Sequence, residues 1–307
     1  MDYESLMTDR ERVSFALRRL YRECGFAPYR MSKFEEYDLY ASNKEFLVSP
    51  QVITFTDTDG VLMALKPDVT LSIAKNYDSR DALKKLYYNE TVYRPAQSGG
   101  FSEILQSGVE CMGDLGEAET EEILSLAAAC LKEVSEDFVL SVSDLGVVEA
   151  LFSEMSLVEG AEEELAVCIH TKNAVEARRL CEKNGVGESL TELLVTVINT
   201  SLPLGKAADV LLPLAVGEEM RNVLKNLQAL AQSPALAAFG DRVIFDSSVL
   251  PNRRFYNGLV FSGYVAGASR ALLSGGRYDK LMRRLGKQAA AVGFAVYLDR
   301  LPEEVTA

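Results

Sequence analysis

The chain has 307 residues, 48% of them hydrophobic, enough for one large domain or two small ones, and its formal charge of −13 opposes tight binding to a nucleic-acid backbone. One histidine, His170, leaves no material for a zinc site, a Ser-His-Asp triad or imidazole proton transfer, and the cysteines at 24, 111, 130, 168 and 181 make neither a disulfide framework nor a CxxC pair, so they read as buried reduced thiols. The longest nearly continuous apolar run, residues 123–131, is about half of the roughly 20 residues that cross a bilayer, and Met1-Asp2-Tyr3-Glu4 is no signal pattern, so a cytoplasmic protein without a membrane partner is expected.

In chain order, Thr8 and Glu11 form a capping box for a helix whose Val13, Ala16, Leu17, Leu20, Tyr21 and Cys24 recur at helical spacing before Gly25 ends it. Residues 51–55 and 61–65 are β-rich runs joined by Thr56-Asp57-Thr58-Asp59-Gly60. That loop reads as a hairpin turn rather than a calcium loop, because the remaining ligands are missing. A helix is expected over 70–77, then strands over 85–94 and 104–112 around the polar stretch 95–102, and local joins of this kind imply an antiparallel sheet. Residues 121–134 carry helical spacing and 138–143 read as a strand. From 147 to 238 Ala, Leu and Glu dominate, with breaks at Gly160, Gly185, Pro203, Pro213 and Pro234, which predicts a mostly helical insertion with one short strand at 166–169. Strand character returns at 242–246 and 256–264, then come the glycine-rich 274–279 and a final segment over 290–301. The expected fold is α+β, with a core domain of 1–146 and 239–307 and the insertion at 147–238.

Alternation along the 104–112 strand puts Gln106, Gly108 and Glu110 on one face and Leu105, Ser107, Val109 and Cys111 on the other. A gap above Gly108 leaves room for a small ligand whose ammonium Glu110 would pair; the alternative is a solvated polar face. Asp68 is either the cap of the helix beginning near Thr70 or a ligand-facing carboxylate. Arg94 either anchors a phosphate or carboxylate or is a surface charge. Gly275-Gly276 permits close backbone approach, and Asp279 is placed to cap the helix holding Leu281 and Leu285.

Taken in order, Leu65-Lys66-Pro67-Asp68-Val69-Thr70, Tyr93-Arg94, Gln106-Ser107-Gly108-Val109-Glu110, Phe255-Tyr256-Asn257, Gly275-Gly276-Arg277-Tyr278-Asp279 and Val292-Gly293-Phe294-Ala295 running to Arg300 resemble histidyl-tRNA synthetase, a class II aminoacyl-tRNA synthetase, from about residue 3 to 301. The Gly-Gly-Arg-Tyr-Asp and Tyr-Asn elements are the parts specific to histidine recognition. The resemblance implies a class II antiparallel sheet flanked by helices. It further implies that Asp68, Thr70, Gln106 and Glu110 contact the amino group of histidine and that Tyr256 and Tyr278 line an imidazole pocket. Arg94 and Arg300 fall on the motif 2 and motif 3 arginines that hold ATP phosphates in synthetases, and a homodimer through motif 1, around residues 26–39, is implied as well.

Synthetases carry Arg-Gly-Leu-Asp-Tyr-Tyr-Asn where this chain has Pro251-Asn252-Arg253-Arg254-Phe255-Tyr256-Asn257, so the arginine that stabilises adenylate formation falls on Pro251, with Arg253 and Arg254 out of register. Ala96 replaces the acidic residue expected after Arg94, the 95–102 loop is short for the family, and Ala307 is the last residue where a synthetase continues into an anticodon-binding domain. This pattern resembles the regulatory-subunit family of ATP phosphoribosyltransferase. That family implies a chain with no catalytic residues, cofactor, metal or tRNA of its own, whose motif 2 and motif 3 arginines are vestigial. It would assemble in a hetero-octamer with the short-form catalytic subunit, in the cytoplasm, and confer activity and feedback inhibition by histidine on the first step of histidine biosynthesis. The alternatives are a free-standing synthetase-like enzyme that activates an amino acid or small carboxylate, and an amino-acid sensor on another partner. Whether histidine takes the synthetase-like pocket or a subunit interface stays open at this level.

Overall fold

A computed structural model describes residues 6–47, 49–78, 83–96, 99–250 and 255–302. Helix α1 (Asp9–Glu23) starts at the expected capping box: Thr8 accepts from the Glu11 amide while Glu11 accepts from the Thr8 amide, so two of the unpaired amides at the helix start are satisfied. Gly25, at φ +79°, follows its end. There follow β1 (Ala27–Pro28), β2 (Phe34–Glu36), α2 (Tyr37–Ala41), the hairpin β3 (Thr54–Thr56) and β4 (Leu62–Leu65), and α3 (Thr70–Lys75). In the hairpin turn Asp57 Oδ1 accepts from the amides of Asp59 and Val61, the role of a turn residue. Two long strands, β5 (Leu83–Pro95) and β6 (Phe101–Gly113), pair antiparallel before α4 (Glu117–Val134) and β7 (Phe138–Asp144).

The next segment is helical: α5 (Leu145–Glu154), α6 (Ala161–His170), α7 (Ala174–Lys183), α8 (Glu188–Asn199), a short β8 (Ser201–Pro203), α9 (Leu204–Leu211), α10 (Gly217–Gln232) and α11 (Pro234–Ala237). The strand expected at 166–169 is part of α6. Glu162, Glu163 and Glu164 favour the positive end of a helix there, and Leu165, Cys168 and Ile169 bury one helical face. The strand of this segment is β8 instead, paired with β9 (Val243–Asp246). Then come β10 (Leu259–Val265), β11 (Leu273–Arg277), α12 (Asp279–Arg284) and β12 (Ala290–Tyr297). The strand expected from 256 begins only at Leu259, after Gly258 at φ +77°.

Among the described residues the main sheet has nine strands in the order β1-β5-β6-β12-β11-β10-β7-β9-β8, with β1·β5 and β7·β9 parallel and the other pairs antiparallel. A second sheet, β2-β4-β3, has three. Val109, Cys111, Val292 and Phe294 from one face of the main sheet join Leu17 of α1, Leu131 of α4, and Leu151, Leu165, Leu194 and Leu224 of the helical segment in one apolar cluster. The other face, through Leu86, Tyr88, Val92, Met112 and Ala291, packs with Tyr40, Ala64, Leu71 and Leu281 under the small sheet, α2, α3 and α12. The strands between two such layers are buried on both sides, which is why most of β6 reads as buried along its length. No helix among the described residues is long and apolar enough to cross a membrane.

Candidate functional site

On this second face a cavity of about 330 Å³ opens over β6, β11 and β12. Asp68, Thr70, Arg94, Gln106, Glu110, Tyr256 and Tyr278, widely separated in sequence, all line it. Its centre is Glu110, 2% exposed, whose Oε1 accepts the Thr70 hydroxyl at 2.5 Å and whose Oε2 accepts the Tyr278 hydroxyl. Gln106, two turns of the pleat away on the same face, is 3% exposed. The solvated polar face that alternation alone allows is therefore not what this strand presents.

Room for Glu110 comes from the neighbouring strand. Gly293 is its register partner on β12, and a Cβ there would overlap Glu110 Oε2 and the Val109 carbonyl. The expected gap above Gly108 is filled: a Cβ at that position would meet the Tyr88 ring at 2.6 Å and the Phe294 carbonyl. Gly108 thus makes room for a tyrosine of β5, and the ligand space lies to the side of it.

Asp68 stands both at the start of α3 and at the cavity wall. Its Oδ1 accepts the Leu71 amide at 2.8 Å at the start of α3, and its Oδ2 stands 3.5 Å from Arg94 Nη2 at the cavity wall. Arg94 is held by a 2.8 Å hydrogen bond from Nε to the Pro67 carbonyl and is the one cation among the described residues lining the cavity. The loop carrying Asp68 is fixed behind by Lys66, fully buried and paired with Glu90 of β5, while the Tyr93 amide donates to the Lys66 carbonyl. A buried ion pair of this kind orients more than it stabilises.

Burial pushes the Glu110 carboxyl up to about 8; the Thr70 and Tyr278 hydroxyls pull it down by less, and the Asp68 charge adds to the rise. Burial also raises Asp68, against the pull of Arg94 and of the Leu71 and Thr70 amides. Tyr278 and Tyr256 are raised by burial as well, so both remain neutral phenols. A carboxyl raised in this way favours its protonated form near neutral pH, and an ammonium placed beside it would favour the ionised form instead. A buried carboxylate beside a hydroxyl pair, one guanidinium, and tyrosines around an apolar wall suit a small zwitterion with a flat polar ring.

Arg300 does not join this cavity. Its guanidinium stacks 3.8 Å over the Tyr297 ring and Nη1 donates to the Ala271 carbonyl at 2.7 Å, so Tyr297, which does line the cavity, stands in front of it. Asp279 does not cap α12: Asn257 Oδ1 accepts the Lys280 amide at 3.1 Å, and Asp279 accepts the Ala291 amide of β12. Pro251, Asn252, Arg253 and Arg254 lie outside the described residues, as do Gln97 and Ser98 of the motif 2 loop, in which the Ala96 amide donates to the Gly100 carbonyl. No group of three or more His, Cys, Asp or Glu among the described residues is arranged to hold a metal ion.

Sequence reasoning missed Tyr88, Phe255 and Tyr297 as lining residues, and the glycine notch at Gly293. The 85–94 strand alternation puts Tyr88 on one face, but only the pairing Tyr88↔Gly108 shows which face that is.

Comparison with known proteins identifies the family and the fold. The sequence model of the histidyl-tRNA synthetase family matches residues 4–301. A Clostridium acetobutylicum protein named ATP phosphoribosyltransferase regulatory subunit is 29% identical over 306 residues, covering 96% of this chain and 74% of that protein. A Bacillus cereus protein of the same name is 26% identical, covering 95% and 71%. Among solved structures, a Bacillus halodurans protein titled ATP phosphoribosyltransferase regulatory subunit/histidyl-tRNA synthetase superposes with a TM-score of 0.85 at 25% identity, over 97% of this chain and 79% of that one. A chain of the ATP phosphoribosyl transferase (HisG:HisZ) complex of Thermotoga maritima shares the fold, with a TM-score of 0.73 at 18% identity over 97% of both chains.

Proposed function

This chain belongs to the histidyl-tRNA synthetase family and has its class II fold, and we propose that it serves as the non-catalytic regulatory subunit of a short-form ATP phosphoribosyltransferase, with histidine as the effector held in the Glu110 cavity. The observation that carries the reading is the buried Glu110 carboxyl, gripped by Thr70 and Tyr278 and faced by Asp68 and Arg94 in a cavity of about 330 Å³, a size that admits one amino acid. The names of the relatives support the regulatory role, and the proline and alanine at positions 251 and 96 argue against ATP activation. Inhibition requires histidine to bind the inhibited arrangement of the complex more tightly than the active one.

The proposal includes assembly with the catalytic subunit in a hetero-octamer, in the cytoplasm, without tRNA. A homodimer through the motif 1 region is supported by the small sheet, on which Phe34 and Phe55 are 46% and 38% exposed with rings 5.5 Å apart, an apolar pair on a surface. Mixing the chain with a short-form catalytic subunit from the same genome is the test of function: turnover is expected to rise, and histidine to suppress the gain. Robust histidine-dependent pyrophosphate exchange with ATP by the chain alone would overturn the proposal in favour of a free-standing adenylate-forming enzyme.

A further inference from the structure

Two of the aromatic walls of the cavity have a common support. Tyr256 sits in the loop before β10, next to Asn257; Tyr278 sits in the turn between β11 and α12, next to Asp279. On Asp279 the two segments meet. Its Oδ2 accepts Asn257 Nδ2 at 3.2 Å and Arg277 Nε at 2.8 Å, and its Oδ1 accepts the Ala291 amide of β12 at 2.9 Å. Asn257 closes the ring from its side, its Oδ1 accepting the Lys280 amide and its own amide donating to the Arg277 carbonyl at 2.9 Å. The Tyr278 amide in turn donates to the Ala291 carbonyl at 2.8 Å.

Apolar packing alone does not hold this wall. Phe255 packs between the tyrosines, 4.6 Å from Tyr256 and 5.6 Å from Tyr278, but Asn257, Arg277 and Asp279 also line a second, acidic groove of about 630 Å³ against α4, α5 and α10. The wall therefore has a ligand cavity in front and an open groove behind. Gly276 shows how closely it is fitted: a Cβ there would stand 2.8 Å from the Tyr256 ring.

We propose that Asp279, acting with Asn257, is a positioning residue that fixes Tyr256 and Tyr278 as walls of the cavity, and thereby sets the affinity for its ligand; the affinity part rests on histidine being that ligand. One carboxylate gathering three donors from three segments does this because charge-assisted hydrogen bonds are short and directional. A neutral amide in its place keeps one acceptor oxygen but turns an NH2 donor toward N–H groups, and so breaks at least one of the ties.

The experiment compares wild type, Asp279→Asn, and the exchange Asn257→Asp with Asp279→Asn, which restores an acceptor opposite a donor. Each is labelled with 3-fluorotyrosine, and the signals of Tyr256 and Tyr278 are assigned by Tyr256→Phe and Tyr278→Phe. In the unliganded Asp279→Asn protein those two fluorine resonances are expected to move or broaden while the rest of the 13 tyrosines stay in place, and to return in the exchange variant. Histidine affinity is expected to fall about tenfold and recover in step. If Asp279→Asn does not fold, Asn257→Ser, which removes one donor, is read in the same way. Unmoved resonances, or resonances that all shift alike with the melting temperature, overturn the inference. Absence of histidine binding by wild type overturns the proposed function instead, and the resonances still decide the positioning role.

Discussion

The two faces of the main sheet are built on opposite rules. Against α1, α4 and the helical segment the strands offer Val109, Cys111, Leu140, Val142 and Val292 to a continuous apolar cluster in which any side chain of suitable volume would serve. The opposite face keeps Gln106 and Glu110 equally dry and surrounds them with hydroxyls, a guanidinium and glycine notches at Gly108, Gly276 and Gly293. A buried carboxylate is costly unless it is paired, so its presence there argues for a ligand, whereas the apolar face argues for stability. The first face serves stability, and the second holds the cavity proposed to take the ligand.

That division is broken most forcefully from the apolar side. Leu131→Ala, at a fully buried α4 position, should cost about 2–5 kcal/mol of unfolding free energy in urea titrations. Histidine affinity should stay within about twofold at temperatures where the variant is folded, since distant sites act independently. On the polar side Glu110→Gln keeps the volume and removes the charge. Histidine binding should weaken by about 1.5–3 kcal/mol, read by calorimetry, with little change in unfolding free energy below pH 6. Unchanged affinity would move the effector to a subunit interface.

A smaller effect is expected from pH. The Glu110 carboxyl titrates near 8 when folded and near the ordinary glutamate value when unfolded, so its contribution is fully present below the unfolded value and is lost as pH rises through about 8. In urea titrations the unliganded protein should lose up to about 1.4 kcal/mol per pH unit across that window from this group, and Glu110→Gln should remove that part of the slope. A slope equal in the variant would assign the pH dependence to other groups. Smaller still is the effect of Arg300→Ala: with its guanidinium behind Tyr297, the change should alter histidine affinity by less than about threefold, and a tenfold loss would show that it reaches the ligand.

What the sequence revealed follows the reach of each physical signal. The α1 capping box, the hairpin at Asp57 and the alternation in β6 are local, and each was found where spacing predicts it. Over 166–169 the short apolar run fits either period, and only the burial of Leu165, Cys168 and Ile169 on one face makes it part of helix α6 instead of a strand. The cavity residues carried local motifs that resemblance could assemble. Their surroundings depend on strand register: Gly293 opposite Glu110, Tyr88 opposite Gly108, and Asp279 reaching Ala291 instead of its own helix. Such pairings join residues as much as 183 positions apart, Glu110 to Gly293, and no window along the chain contains them.

The most direct test is calorimetric titration of histidine into the isolated chain at pH 7 in buffers of different ionisation heat. Binding should release close to one proton, as the ammonium displaces the proton that Glu110 holds at that pH, and the release should vanish in Glu110→Gln. No binding, or binding whose proton release is the same in the variant, would contradict the claim that this cavity is the histidine site.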